Sequence, residues 1–247
     1  MMINILKAEY KKTRNTMERR GIVLFPVAVF ALAFVLTLGM TESYAESVWN
    51  WWYVLMLPGM IAVFCYLSVS REKKTKYCHM MTLPEDKGKL MLGKILYIGC
   101  AILASNIIIF AGAFVGGTLL TTSVPVGGAV ASVFVLTISE LWQIPLFLFL
   151  GERFGMVSEL LVCVFLSIGG IVAASSGKWF MLPSAIPGRI CCPLLHVLPN
   201  GIKAEVGDPL LDTAVILPGI GISVIWFGIA TILFLYWFRK FEVNQKC

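Results

Sequence analysis

Apolar residues do not alternate with polar ones along this chain; they gather in six long runs, at 21–40, 49–68, 95–120, 126–150, 156–174 and 215–238. An α-helix rises about 1.5 Å per residue, so roughly 20 apolar residues cross the hydrocarbon core of a bilayer. Each run is near that length or longer, and Glu140 and Glu159 are the only charged residues within them. The pattern predicts an all-α integral membrane protein with six transmembrane helices. The connections between runs are too short to hold a soluble domain, so residues 1–247 are expected to form one membrane domain.

Composition agrees, with 58% hydrophobic and 14% charged residues, against about 25% charged in an average soluble domain. The net charge of +6 would suit a nucleic-acid partner, but its distribution points to lipid. Seventeen of the 20 basic residues fall in 1–20, 71–94, 151–155 and the tail after 238, all on one side of the predicted membrane. Only Lys178, Arg189 and Lys203 fall on the other. Because positive loops stay cytoplasmic, both termini are expected there, with the basic runs facing anionic lipid and no nucleic acid. Ser43-Tyr44-Ala45 has the spacing of a signal-peptidase site, yet the run before it exceeds the 7–15 residues of a signal core, about 20 against that range. Of the seven cysteines, Cys65, Cys100 and Cys163 lie within predicted helices and Cys78 and Cys247 face the cytosol. Cys191 and Cys192 are expected as free thiols at the membrane surface, since a bond between neighbours is strained.

The connecting segments carry further signals. In 2–12, Ile3, Leu6 and Tyr10 share one helical face and Lys7, Lys11 and Lys12 turn away, which fits either an interfacial helix or a charged lead-in. Trp49, Trp51, Trp52 and Tyr53 read as an aromatic belt at the outer surface. Between the charges of 71–94 lie Tyr77, His79, Met80, Met81 and Leu83, enough apolar surface for a short helix ended by Pro84 and seated in a cytoplasmic partner. Residues 175–214 are nearly as apolar as the spans but carry Pro183, Pro187, Pro193 and Pro199. Repeated prolines argue against a crossing and for re-entrant half-helices covered by protein, with two extra crossings as the alternative. Gly112 with Gly116, and Gly169 with Ala173, have the four-residue spacing that lets helices approach closely.

Catalytic signatures fail on inspection. Residues 88–94 fit G-x-x-x-x-G-K, but Ile95 stands where the phosphate loop needs Ser or Thr, and a membrane helix follows. Any ATP and its magnesium must therefore be bound by another polypeptide, and no cofactor is expected in this chain. His79 and His196 lie on opposite faces and cannot share a zinc, and Ser175 has no base beside it. Glu140 is the strongest candidate, with Thr137 and Gln143 three residues to either side on one polar stripe. It either lines a pathway or makes a structural hydrogen bond through Ser105 or Asn106. Pro145 would free the Leu141 carbonyl and kink the helix beside it. Glu159 is expected to pair with Arg153 at the inner surface.

The opening Met-Ile-Asn-Ile-Leu-Lys-Ala-Glu-Tyr-Lys-Lys at 2–12, the aromatic cluster from Trp49, Glu-Lys-Lys-Thr-Lys at 72–76, Leu83-Pro84, Gly93-Lys94, Trp142-Gln143-Ile144-Pro145-Leu146 and Arg153-Phe154-Gly155 together resemble the permease subunits of type-2 ABC exporters, specifically those of lantibiotic immunity transporters. The resemblance spans nearly the whole chain. It implies an N-terminal interfacial helix in 1–20, a coupling helix in 71–94 through Tyr77, His79, Met80, Met81 and Leu83, and re-entrant helices in 175–214. It further implies a cytoplasmic ATPase dimer, a second homologous permease, and export of a lanthionine-containing peptide from a bacterial plasma membrane. The outer loop, with Trp179, Phe180 and Arg189, would handle the peptide. The competing class is a non-transporting membrane anchor that recruits a cytoplasmic regulator.

Overall fold

The computed structural model describes residues 2–37, 43–78, 86–120, 124–205 and 207–240. Helix α1 (Met2–Lys12) leads to α2 (Met17–Leu36), then α3 (Tyr44–Trp51), a π-helical turn (Trp52–Met56) and α4 (Leu57–Lys74). After these come α5 (Lys87–Leu119), α6 (Val126–Glu140), α7 (Gln143–Arg153) and α8 (Met156–Ala174). A segment of 3₁₀ turns and the short helix α9 (Ile186–Leu195) follows, before the final α10 (Ile216–Arg239). Five described helices are long and apolar enough to cross a membrane, and six if α6 and α7 form one broken span. The all-α membrane architecture expected from the apolar runs is what the chain adopts.

The spans extend beyond the apolar runs at the basic end. α4 continues through Arg71 to Lys74 and α5 begins at Lys87, so much of 71–94 is helix rather than connecting loop. The fourth run is broken, with α6 and α7 meeting at 43°. The cause is Pro145. Without an N–H it leaves the Leu141 carbonyl unpaired in the α-helical pattern, and Ile144 N donates to that oxygen instead at 3.1 Å. Pro26 creates the same vacancy within α2, and there Ser105 of α5 fills it by donating to the Ile22 carbonyl at 3.1 Å.

The aromatic cluster does not form a lipid-facing belt. Trp49, Trp52 and Tyr53 are buried in the core, and Trp52 Nε1 donates to Asn106 Oδ1 at 2.7 Å. That acceptor lets the Trp52 indole sit in the protein, while Trp49 Nε1 is buried without a partner. Asn106 also donates to Thr137 Oγ1 at 2.9 Å, tying the π-helical turn, α5 and α6 together.

Among the described residues of 175–214 no helix is long enough to cross a membrane. α9 is a single buried half-helix, and a Cβ on Gly128 of α6 would lie 1.7 Å from the Leu194 carbonyl oxygen. On α8 the seam is one residue off the expected Gly169 and Ala173: Gly170 and Ala174 face inward, with a Cβ on Gly170 2.5 Å from the Ser184 carbonyl. Gly112 and Gly116 do admit close contacts, but from the rings of Phe30 and Tyr44 rather than from another backbone. Cys191 and Cys192 are free thiols as expected, though buried within the protein instead of lying at its surface.

Candidate functional site

Two places gather polar side chains, one at the basic end of the bundle and one at the break between α6 and α7. The first is a cluster that sequence reasoning missed. Lys94 Nζ of α5 lies 3.1 Å from Glu9 Oε2 of α1 and 2.7 Å from Glu72 Oε1 of α4. Lys12 reaches the same two carboxylates at 2.8 and 3.0 Å, and Arg71 pairs with Glu18 at 2.9 Å. Glu9, Glu18, Glu72 and Lys94 are each less than 5% exposed. Burial alone would pull the Lys12 ammonium down, but Glu9 and Glu72 outweigh it and hold it above the ordinary lysine range.

This pairing corrects the orientation of α1. Ile5 and Glu9 face the bundle while Ile3 and Tyr10 point out, and Lys12 turns inward with them. Ile5 packs where Gly93 leaves room, since a Cβ there would sit 2.4 Å from Ile5 Cγ2. A buried lysine demands a counter-charge, and that demand outranks the weak apolar stripe of Ile3, Leu6 and Tyr10. The only hint in the sequence was that acids, Glu9, Glu18 and Glu72 among them, stand inside predominantly basic runs.

The end of α4 also grips α7. Lys73 Nζ donates to the carbonyls of Gly151 at 3.2 Å and Glu152 at 2.6 Å, supplying a cation to the C-terminus of that helix. Two left-handed residues follow, Lys76 (φ 49°) and Tyr77 (φ 58°), and Tyr77 N donates to the Glu72 carbonyl at 2.9 Å. The turn folds the Tyr77 ring into the bundle, where its hydroxyl donates to Glu152 Oε2. Burial, then that carboxylate, pushes the phenol well above its usual range. Tyr77 is thus seated against its own chain. His79, Met80, Met81 and Leu83 lie outside the described residues.

At the other end of α7, Gln143 Nε2 donates to the buried Glu140 carboxylate. Thr137 does not join them; it bonds Asn106 and its own helix at the Val133 carbonyl, 2.7 Å away. Neither Ser105 nor Asn106 reaches Glu140, whose partner is the next half-helix. Glu140 and Gln143 border a cavity of about 20 Å³ that is also lined by Tyr53, Ser167, Ser184 and Pro199. Glu159 departs from expectation as well. It is buried with both oxygens unpartnered instead of pairing with Arg153, which is exposed.

In the segment between α8 and α10, Arg189 is buried and donates to the Leu210 carbonyl at 2.5 Å, so it braces the segment on itself. Trp179 and Phe180 meet edge to face at 6.1 Å, Phe180 exposed. Among the described residues no group of three or more His, Cys, Asp or Glu side chains is placed to hold a metal.

Residues 5–151, from α1 into α7, match the ABC-2 family transporter proteins, and the chain belongs to that family. It is therefore a multi-pass membrane permease subunit of an ABC transporter, the class whose ATPase partner is a separate component. The match contains the buried charge cluster, Lys73, Tyr77 and the Glu140 break, and stops one residue before Glu152, the partner on α7 that Lys73 and Tyr77 share. No curated protein matches the chain significantly.

Proposed function

We propose that this permease expels a lantibiotic-type antimicrobial peptide from the bacterial plasma membrane for self-protection, as one of two homologous permeases joined to a cytoplasmic ATPase dimer that binds ATP and magnesium. Both termini and the segment after α4 lie on the cytoplasmic side in this reading, in keeping with the basic residues there. The peptide assignment rests on the resemblance of the sequence to lantibiotic immunity permeases. The coupling assignment rests on one observation: α7 is held at one end by Lys73 and Tyr77 and ends at the other beside Glu140. An 11-residue helix is a strut of about 16 Å. Force on the segment around Tyr77–Leu83 from ATPase closure passes through the turn at Tyr77 into that strut and reaches the break and the outer segment. Family membership favours this over a non-transporting anchor.

Replacing Met80, Met81 and Leu83 with Asp tests the contact. The chain should still insert, and its ATPase should no longer co-purify. Undiminished co-purification would remove these residues from the interface. A host carrying the complete transporter should gain tolerance to the peptide, and a host that gains none argues against the cargo.

A further inference from the structure

Buried polar atoms without partners occur at several places among the described residues, and beside Glu140 three such side chains border one cavity. There Gln143 Oε1 and Ser184 Oγ are unpartnered, and Ser167 Oγ has only the weak thiol of Cys163 one turn away. All three side chains line the cavity of about 20 Å³ beside the Glu140 carboxyl, and no lysine, arginine or histidine lines it. The void has room for one particle of about the size of a water. Glu140 is 1% exposed and forms no ion pair within the described residues. An ionised carboxylate so placed in a membrane requires a neutralising partner.

We propose that this cavity binds a monovalent cation of sodium size. Glu140 supplies the charge, and Gln143 Oε1, Ser167 Oγ and Ser184 Oγ supply neutral oxygens. Oxygen donors select a hard cation, and a single carboxylate balances a single positive charge. A lone water would fill the space and leave the charge uncompensated. A proton would compensate the charge and leave the acceptors facing a void. The break contributes too, because α6 ends at Glu140 and broken spans of this kind coordinate small cations at their C-terminal half-helix ends. The bound ion bridges the break, α8 through Ser167 and the outer segment through Ser184, so it fastens the outer segment to the bundle. This holds whether or not the cargo is a peptide.

The test is thermal unfolding of the purified full-length chain in detergent, at fixed pH and constant ionic strength, in sodium, potassium or choline chloride. Sodium should raise the midpoint by several degrees over choline in a saturable manner. The rise should vanish in Glu140→Gln and shrink in Ser184→Ala, both of which should still unfold cooperatively in choline. Equal wild-type midpoints in sodium and choline would overturn the proposal, as would a sodium effect that survives Glu140→Gln. A midpoint that follows pH alone would assign the site to a proton and overturn it equally.

Discussion

Adjacent glycines at the start of α6 show how sharply single positions differ. A Cβ on Gly127 would meet nothing within 4 Å, whereas one on Gly128 would lie 1.7 Å from the Leu194 carbonyl oxygen. The obstacle is backbone and cannot swing aside, so Gly128→Ala must push α9 off α6. It should cost about 1–3 kcal/mol or more as overpacking. Gly127→Ala should be neutral or gain up to about 1 kcal/mol from helix propensity. Thermal unfolding in detergent separates the two, and equal midpoints would mean that α9 does not seat here. Ser105 has a comparable local task, closing the vacancy that Pro26 leaves at Ile22.

Among the elements, α1 is held chiefly by charge. Lys94 links Glu9 of α1 to Glu72 of α4, so Lys94→Met leaves two buried carboxylates relying on Lys12 and, for Glu9, on Arg71 at 3.9 Å. Losing one partner of a buried pair typically costs about 3–5 kcal/mol, while replacing both by neutral groups costs far less. Lys94→Met should therefore loosen α1, read as faster proteolysis within residues 1–20 and a lower unfolding midpoint. Adding Glu72→Gln should restore part of the loss. A double variant no better than the single one would show that the cluster is not a coupled unit. The sequence exposed the charges of this cluster but not their pairing, because Glu9, Glu72 and Lys94 are far apart along the chain and meet only when three helices converge.

Across the whole molecule, the end of α4 joins the charge cluster to the grip on α7. Tyr77→Phe removes the hydroxyl bound to Glu152 and keeps the buried ring. The expected outcome is normal insertion and normal ATPase co-purification with weakened peptide tolerance of the host. Unchanged tolerance would show that motion does not pass through this bond. The all-α architecture with its five to six candidate spans and the break at Pro145 were legible in the sequence. Each depends on local hydropathy or on a proline's missing donor, quantities a residue carries wherever it sits. Tertiary structure alone decided the face of α1, the burial of Trp49 and Trp52, the burial of Glu159 and the meeting of Glu140 with Ser167 and Ser184. A buried polar group takes whichever partner the packed helices bring within about 3 Å, and that distance exists only after they have packed.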